Sequence, residues 1–558
     1  MENYSSKHKG TTIDAAIDIV TAVYGDINLI GVPGAQGFGV GICPPQLLPA
    51  DLVPLSGTFD KTNDNYGNYS CTTDGSIMVW VPRFYYKITN VADAPYLGTK
   101  VEIKGVDTYP NEGNANADGY ALHRAFVDGG AVKSGFFVDK YKWSLTNFVY
   151  NSAGVASSIK NGNPISSAVD SERNATNLFA GAFTNCKSNS QAPTNIYGGA
   201  WAAAKSRGAN YAVSSIFIFK ALSLLSLAHG QAATNTTNCA WYLANKIYPK
   251  GNNNYGADVD DATCTFTACD DAYWAARNEA RKNGSGSTFA KTTHNGQNCG
   301  VSDLQGDQYQ ITQGLTCTSA SQNLATGNIS LEAQAIITKV AHGYADGDVL
   351  FVEGANTGAG WNTAMQYRFF TVSDKTDDTF KLKKRTNDAG DGNYLDASAL
   401  GAYDTANGTF TCTKGVFYIL KESATLKDVT GGSGAATDHF ANTTLFDTID
   451  LSAILINTYA SDRFGSGTNQ VLGMNITRTH NDYKLTSVGL PNAKTAISSG
   501  GTNNFGTDYL IKWILSNMCP LVGGYWDNFS SAGVWLVTLY YSRTSSSRSV
   551  SARSCLYV

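Results

Sequence analysis

The sequence of 558 residues has few charged side chains and few prolines. Asp, Glu, Lys and Arg together make up 15% of it, and only 13 residues are proline. A typical globular domain carries about 25% charged residues. Because the net charge is −4, no basic surface for nucleic acid is expected. Aromatic residues make up 11%, too many for a disordered chain, and the abundant Gly, Ser, Thr and Asn predict short strands and long polar loops.

Long apolar segments are also absent. The best apolar run, 216–230, is interrupted by Lys220 and is shorter than the ~20 residues of a membrane helix. The N-terminal residues MENYSSKHKG lack the apolar region of a signal peptide. We therefore expect no membrane insertion and synthesis in a cytoplasm. The protein could still act outside the cell if it leaves as part of a particle.

The sequence contains no recognisable metal or catalytic motif. The 11 cysteines form no CxxC pair, and the seven histidines form no HExxH pattern. Asp258, Asp260 and Asp261 begin like a calcium loop, but Ala262 replaces the next ligand and no suitable Gly or Glu follows. A polar turn and scattered buried thiols are the simpler interpretations. We predict no catalytic residues, no metal, no cofactor and no enzymatic activity.

The distribution of patterns predicts four regions in an α+β fold. Residues 1–74 contain a short amphipathic helix at 11–25 and are interpreted as an attachment or oligomerisation region. Strand patterns start at Gly75, and Pro82 is expected to break or end a strand within 76–88. Residues 214–230 are the strongest helix, with Ser214 or Ser215 as its cap and Gly230 at its end; it is apolar on most faces and is expected to be buried. Residues 318–411 alternate strands with polar turns, which predicts a small all-β module. Its flanks, GLTC and GTFTC, look like one interrupted strand, so we predict an insertion between 75–317 and 412–558.

The last 38 residues, 521–558, form what we call the C-terminal tail, and their composition differs from the rest. The tail contains nine serines, two tryptophans and four tyrosines, but no Lys, Glu, Gln or Met. Small residues alternate in it with polar and aromatic ones. This alternation is typical of a fixed framework that carries changeable side chains, although an ordinary Ser-rich surface strand would share part of it.

Several stretches together resemble the formylglycine-generating-enzyme type of C-type lectin fold. Segments 75–88 and 134–148 resemble its opening strands, and 202–230 resembles its central helices. Segment 294–311 resembles its N-x-x-G-x-x-D strand, and 522–535 resembles its R-G-G-x-W motif. The resemblance implies a C-type lectin-like fold from about Gly75 to the end of the chain, with the module inserted.

The motifs of that family are not all complete in this chain. Gly300, Asp303 and Gly306 match, whereas Tyr309 and Gln310 replace the family's Trp-Glu pair. In the tail, Val522 replaces an arginine, and the G-x-R ending has Ser551 in place of glycine. The enzyme of this family needs a late redox-active cysteine pair, and Cys519 and Cys555 have the wrong spacing for it. A divergent sulfatase-modifying enzyme is therefore only the third alternative.

The tail resembles, more narrowly, the variable proteins of diversity-generating retroelements, in which Asn codons near the gene's end are rewritten. The resemblance implies a framework at Gly523, Gly524, Trp526, Ser530, Ala532, Gly533, Trp535, Leu539 and Arg553. It implies ligand-binding variable positions at Tyr525, Asp527, Asn528, Ser531, Thr538, Tyr540, Tyr541, Ser545, Ser547, Arg548 and Ser549, each encodable by a mutated Asn codon. Phe529 departs from the family's usual glycine.

The side-chain types at the variable positions suit binding. Tyr offers large rigid contact area at low entropic cost, and Ser and Asn adapt their hydrogen bonds, as in antibody paratopes. The two framework tryptophans, Trp526 and Trp535, are expected to anchor the core rather than to bind ligand.

The module and the first residues of the chain point to a virus particle. Segment 342–354 resembles small β modules of phage tail proteins, and KGTTIDAAID at 9–18 resembles the start of tail fibres. The prediction is a homotrimeric phage tail protein, located in the virion tail and made in the bacterial host cytoplasm. Its expected partners are a host cell-surface receptor, protein or glycan, and other tail proteins. The main alternative is a bacterial surface or secreted variable binding protein.

Overall fold

The structure, a computed structural model, describes most of the chain. The described residues are 27–146, 155–167, 200, 203–242, 248–270, 272–386, 392–429, 445–460, 462–465, 468–498, 504–542 and 547–558. The helix predicted at 11–25 lies outside these ranges, and so does Ser545 of the predicted binding positions.

Strands dominate the regular structure. The structure is 30% strand and 14% helix, with five α-helices in the described ranges. These are α1 (Glu112–Ala117), α2 (Ile216–Ala232), α3 (Ala272–Ala275), α4 (Trp361–Met365) and α5 (Asn481–Ser487). The predicted α+β class, a C-type lectin-like fold with an N-terminal helical segment, is therefore wrong, and the protein is predominantly β. Its many β-branched and aromatic residues favour strands, and one long helix does not change the class.

The first sheet, which we call the terminal sheet, joins early strands to the end of the chain. Its order is β1 (Leu52–Pro54), β2 (Asn68–Cys71), β3 (Ile77–Pro82), β9 (Gly135–Asp139), β27 (Ser554–Tyr557) and β12 (Ala212–Val213). Val138 of β9 lies opposite Val79 on one side and Cys555 on the other. The last strand is thus fixed against the first part of the domain.

Three small sheets flank the terminal sheet. They consist of β4 (Phe84–Thr89), β5 (Lys100–Gly105) and β6 (Ala121–Leu122); of β7 (Val127–Asp128) and β8 (Ala131–Val132); and of β10 (Trp143–Thr146) and β11 (Val155–Ser158). The predicted strand 76–88 is divided where Pro82 ends β3, because proline has no backbone N–H for the next ladder position.

Helix α2 is the buried centre of the larger core. Ser215 caps it by accepting a hydrogen bond from the Ile218 backbone N–H at 3.2 Å. The helix packs against β5, against α5 and against a strand of the tail, so nearly all of its residues are buried, including Lys220. It runs two residues past Gly230, which was predicted to end it, because Gly230 is buried and the helix packs against β5 and α5.

The second large sheet, which we call the tail sheet, contains most of the C-terminal tail. Its order is β22 (Ile497–Ser498), β21 (Asp462–Phe464), β23 (Tyr509–Ile511), β25 (Gly533–Thr538), β24 (Leu521–Gly523), β13 (Tyr309–Ile311) and β26 (Val550–Ser551). Strand β25 is central and buried at every position. Strand β13 lies between two tail strands, antiparallel to β24 and parallel to β26.

The third large sheet, which we call the module sheet, contains the predicted insertion. Its order is β14 (Leu315–Asn323), β19 (Phe410–Leu420), β16 (Val349–Gly354), β17 (Arg368–Ser373), β18 (Thr379–Lys384) and β15 (Ile336–Thr338), and β20 (Phe446–Ile449) also pairs with β19. The flanks predicted as one interrupted strand are two antiparallel neighbours, paired from Leu315 with Ile419 to Asn323 with Thr411. The chain enters the module along β14 and leaves it along β19, and these two strands are paired with each other.

The module has a hydrophobic core of its own. This cluster begins at Leu324 and ends at Cys412, with Trp361 and Phe380 among its fully buried members. Strands β14 and β19 continue out of it into the larger core, where Cys317 and Phe417 are buried.

Removing the module is expected to leave a protein that still folds. In the deletion variant, an Asn-Gly turn replaces 324–410 and joins Asn323 to Thr411, which are Cα partners across the ladder. A cooperative thermal transition should persist, at a lower temperature because Phe351 and Phe369 pack against the larger core. Calorimetry tests this expectation, and a non-cooperative transition would show that the module is part of one folding unit.

Candidate functional site

The tail is held by a buried arginine at its end. The guanidinium of Arg553 donates to Gln310 Oε1 at 2.6 Å and to the carbonyl oxygens of Asp139 and Ser302, each at 2.8 Å. Burial lowers the pKa of Arg553 to about 10. These bonds connect β13 of the tail sheet to β9 of the terminal sheet through the residue that precedes β27, so Arg553 fixes the position at which the tail ends.

A buried lysine and a buried aspartate hold strand β25 by its backbone. The ammonium of Lys220 donates to the carbonyl oxygens of Val534 and Trp535 at 3.0 Å each. The carboxylate of Asp508 accepts from the Trp535 backbone N–H at 2.9 Å. Burial lowers the pKa of Lys220 and raises that of Asp508, while each charge favours the ionised form of the other. Lys220, the charged residue within the apolar run, therefore holds strand β25 of the tail through hydrogen bonds.

Replacing this lysine is expected to destabilise the fold. Lys220→Met removes a donor from two buried carbonyl groups, of which that of Val534 keeps the Ser223 hydroxyl at 2.8 Å. Leaving a buried carbonyl group such as that of Trp535 without this donor costs about 1–3 kcal/mol. Urea unfolding of the variant measures the loss. The control is Lys104→Met on the exposed side of β5, which should change the free energy of unfolding by less than about 0.5 kcal/mol. Equal stability of the two variants would contradict this role of Lys220.

Two framework glycines have no room for a side chain. A Cβ atom on Gly533 would lie 1.9 Å from Asp508 Oδ1, and one on Gly524 would lie 2.8 Å from the Ala532 Cβ atom. Gly524 also has φ +86°, a backbone conformation that favours glycine. These contacts explain why the turn between β24 and β25 needs small residues.

Phe529 occupies the position at which the resembled family has glycine, and its backbone φ is +50°. Its ring is 46% exposed, so little packing offsets the strain. A non-glycine residue in the left-handed region costs about 1–2 kcal/mol, partly balanced by the greater unfolded-state entropy of glycine. Phe529→Gly is therefore expected to raise the free energy of unfolding by about 0.5–1 kcal/mol, measured by urea titration. A lower stability would show that the ring contributes packing that outweighs the strain.

The structure places the predicted variable positions at different depths. Tyr540 and Arg548 are exposed, and five positions are partly exposed: Tyr525, Asp527, Asn528, Tyr541 and Ser547. Thr538 is fully buried in β25, and Ser531 and Ser549 are 8% and 9% exposed. The side chains of these three do not form part of the outer surface. Asn528 also has a local role, because its Oδ1 accepts from the Tyr525 backbone N–H at 3.0 Å.

Five of these side chains form one surface, which we call the tail surface: Tyr525, Asp527, Tyr540, Tyr541 and Arg548. The buried ring of Tyr309 connects its parts, with centroids 5.1 Å from Tyr525 and 6.0 Å from Tyr541. The Tyr541 ring in turn lies 5.3 Å from Tyr540. The tail surface is thus continuous over aromatic rings.

Residues outside the tail complete this surface, and sequence reasoning did not select them for the site. Arg548 forms an ion pair with Glu279 at 2.7 Å. Burial and the neighbouring carboxylate of Asp527 raise the pKa of Tyr255 to about 12. Only Tyr309 had a signal in the sequence, because it occupies the tryptophan position of the N-x-x-G-x-x-D motif. Nothing in the local pattern indicates Glu279 or Tyr255.

Three of the predicted variable positions, Tyr541, Arg548 and Ser549, are held through their carbonyl oxygens. Gln308 Nε2 donates to the Arg548 carbonyl oxygen at 2.8 Å, and the Tyr309 backbone N–H donates to that of Ser549 at 2.8 Å. The Cys519 backbone N–H donates to the Tyr541 carbonyl oxygen, also at 2.8 Å. Because the acceptors are main-chain oxygens, these bonds do not require a particular side chain at Tyr541, Arg548 or Ser549.

The cysteines have the surroundings of structural thiols. Ten of them lie in the described ranges, where all ten are buried and no disulfide joins any two of them. Burial raises the pKa of Cys317 and Cys412 to about 12 and that of Cys555 well above its ordinary value. A thiol with a raised pKa is a poor nucleophile, which argues against redox catalysis at Cys555.

Comparisons with models of protein families and with curated proteins gave no match for this chain. Within the described ranges, no group of three or more His, Cys, Asp or Glu side chains is arranged to hold a metal ion. No helix in the part of the chain that the structure describes is long and apolar enough to cross a membrane.

Proposed function

We propose that the protein is a receptor-binding tail protein of a phage, and that its tail is the variable region of a diversity-generating retroelement. The observation that carries this proposal is the main-chain anchoring of Tyr541, Arg548 and Ser549. A site whose side chains are rewritten needs a backbone that is held independently of them. The buried contacts of Lys220 and Arg553 supply that support from the remainder of the chain.

The exposed groups of the tail surface suit recognition of a partner. Tyr540 is 45% exposed, and the rings of Tyr525 and Tyr541 are packed on one side and open on the other. Tyr and Arg are among the side chains that dominate binding energies at protein interfaces. In this proposal the partner is a host cell-surface receptor.

Attachment by a particle would use several copies of this surface. We place the protein in the virion tail as a homotrimer in contact with other tail proteins. Linking weak sites on one particle raises the overall avidity by a factor of about 10²–10⁴ without new contacts.

The gene's surroundings test the proposal directly. Sequencing the locus should find a reverse transcriptase gene and a near-copy of the 3′ end. That copy should have Asn codons at the positions of Tyr525, Tyr540, Tyr541 and Arg548, and virion genes should lie nearby. A locus without the near-copy would contradict a variable tail. Genes of a secretion pathway in place of virion genes would favour the bacterial surface binder.

A further inference from the structure

Aromatic rings outside the tail continue the row of rings in the tail surface. The Tyr540 ring lies with its centroid 4.6 Å from that of Trp513 and 6.2 Å from that of Tyr459. The Tyr459 ring lies 5.4 Å from Tyr367, which belongs to the inserted module. Trp513 also packs 4.5 Å from Phe351 of the module. A row of rings therefore leads from the proposed variable surface onto the module.

Backbone contacts hold this second part of the row in place. The Phe369 backbone N–H of the module donates to the Asn457 carbonyl oxygen at 3.1 Å, and Arg368 forms a bridge with Thr458. The Lys512 backbone N–H donates to the Tyr459 carbonyl oxygen at 2.8 Å. Tyr367 and Tyr459 are partly exposed, whereas Trp513 is only 9% exposed and supports them from below. None of the three lies in the tail, so their identity would stay fixed while the tail varies.

Within the described ranges, the cationic side chains beside these rings have protein partners. Arg368, next to Tyr367, donates through Nε to the Thr363 carbonyl oxygen at 3.0 Å. Lys512 is buried in an ion pair with Asp462. Arg385 donates to the Leu455 carbonyl oxygen at 2.7 Å and to Thr371 Oγ1 at 2.8 Å. What this part of the surface offers is therefore ring faces and phenol hydroxyls. A complementary ligand is uncharged, has an apolar face and has hydroxyl groups at its edges, and a pyranose sugar ring has all three properties.

We propose that the receptor site is composite, and that Tyr367 and Tyr459, supported by Trp513, form a fixed half that stacks on an uncharged sugar ring of a surface glycan. This inference rests on the proposed function, because it extends the same site beyond the tail. The fixed half gives a common contact to glycans, and Tyr540 and its variable neighbours select among them.

An array of neutral and acidic oligosaccharides tests the inference on the full chain. The wild type is expected to bind neutral members. For the bound oligosaccharide, Tyr459→Ser and Tyr367→Ser should each raise the Kd at least 10-fold, as measured by calorimetry. Tyr459→Phe keeps the ring and should stay within about threefold, while thermal melting checks that every variant is folded. The matched control is Tyr394→Ser, because Tyr394 lies in the same module but contacts Ser373 at the far end of β17.

The other outcomes separate the inference from the proposed function. Binding of acidic oligosaccharides alone, or unchanged affinity in both serine variants, would overturn the inference. So would adsorption to bacterial cells that survives periodate oxidation of their sugars, because the receptor would then be a protein and the proposed function would still stand. The proposed function itself fails if changes confined to the tail surface leave adsorption to the same cells intact.

Discussion

Replacing Tyr525, Tyr540, Tyr541 and Arg548 together with serine is expected to abolish adsorption to the host and to leave the protein folded. Each of these side chains is of a type that contributes about 2 kcal/mol or more where it forms a binding hot spot, so four losses remove most of the affinity. The carbonyl oxygens of Tyr525, Tyr541 and Arg548 can keep their partners after substitution, which are the Asn528 and Cys519 backbone N–H groups and Gln308 Nε2. Surface changes usually cost about 0.5 kcal/mol each, so the free energy of unfolding should fall by less than about 2 kcal/mol.

The measurement pairs thermal melting with adsorption of the purified protein to host cells. The control replaces an aromatic residue and a cation at another place, Tyr394→Ser with Lys383→Ser, where the ammonium lies 4.8 Å from the ring centroid. The control should adsorb like the wild type. Unchanged adsorption of the fourfold variant, or a variant that no longer folds, would remove the argument for a displayed variable surface.

Replacing Trp535 of β25 is expected to destabilise the fold, in contrast to replacing the side chains of the tail surface. Trp535→Ala should lower the free energy of unfolding by about 3–5 kcal/mol, because the side chain is 1% exposed and its removal leaves a cavity. The ring packs 4.9 Å from Phe505, with the Lys220 ammonium 5.6 Å from its centroid. Urea unfolding measures the change.

A second aromatic residue of the tail provides the comparison. Phe529 is 46% exposed, so Phe529→Ala should stay within about 0.5 kcal/mol of the wild type. If Trp535→Ala instead unfolds like the wild type but no longer adsorbs, Trp535 belongs to the binding surface rather than to the framework. Trp526, which is 3% exposed beside Trp274, can be tested in the same way.

Local patterns predicted local structure well. Strand β3 ends at Pro82 because proline has no backbone N–H to donate. Ser215 caps α2 because serine is preferred at helix starts. The end of α2 was missed by two residues because packing against β5 and α5 outweighs the low helix propensity of Gly230. The predicted α+β class was wrong because the many short strands outweigh the one long helix in the structure.

Only the part of the candidate site that lies in the tail could be predicted from the sequence. The resemblance to the variable proteins selected Tyr525, Tyr540 and Arg548, but it also selected Thr538, which faces the core of the tail sheet. Alternation along a strand does not tell which face is buried when both faces of the sheet are covered. Tyr459 approaches Tyr540 through tertiary contacts, and no local pattern encodes such a contact.

The module is connected to the rest of the protein by paired strands rather than by a linker. Strands β14 and β19 run from one hydrophobic core into the other, and their pairing extends from Leu315 to Asn323. The rings of Tyr367 and Tyr540 are therefore held at a set separation before any ligand arrives. A ligand that contacts both would lose little affinity to the ordering of its binding site, because that conformational entropy is already lost when the chain folds.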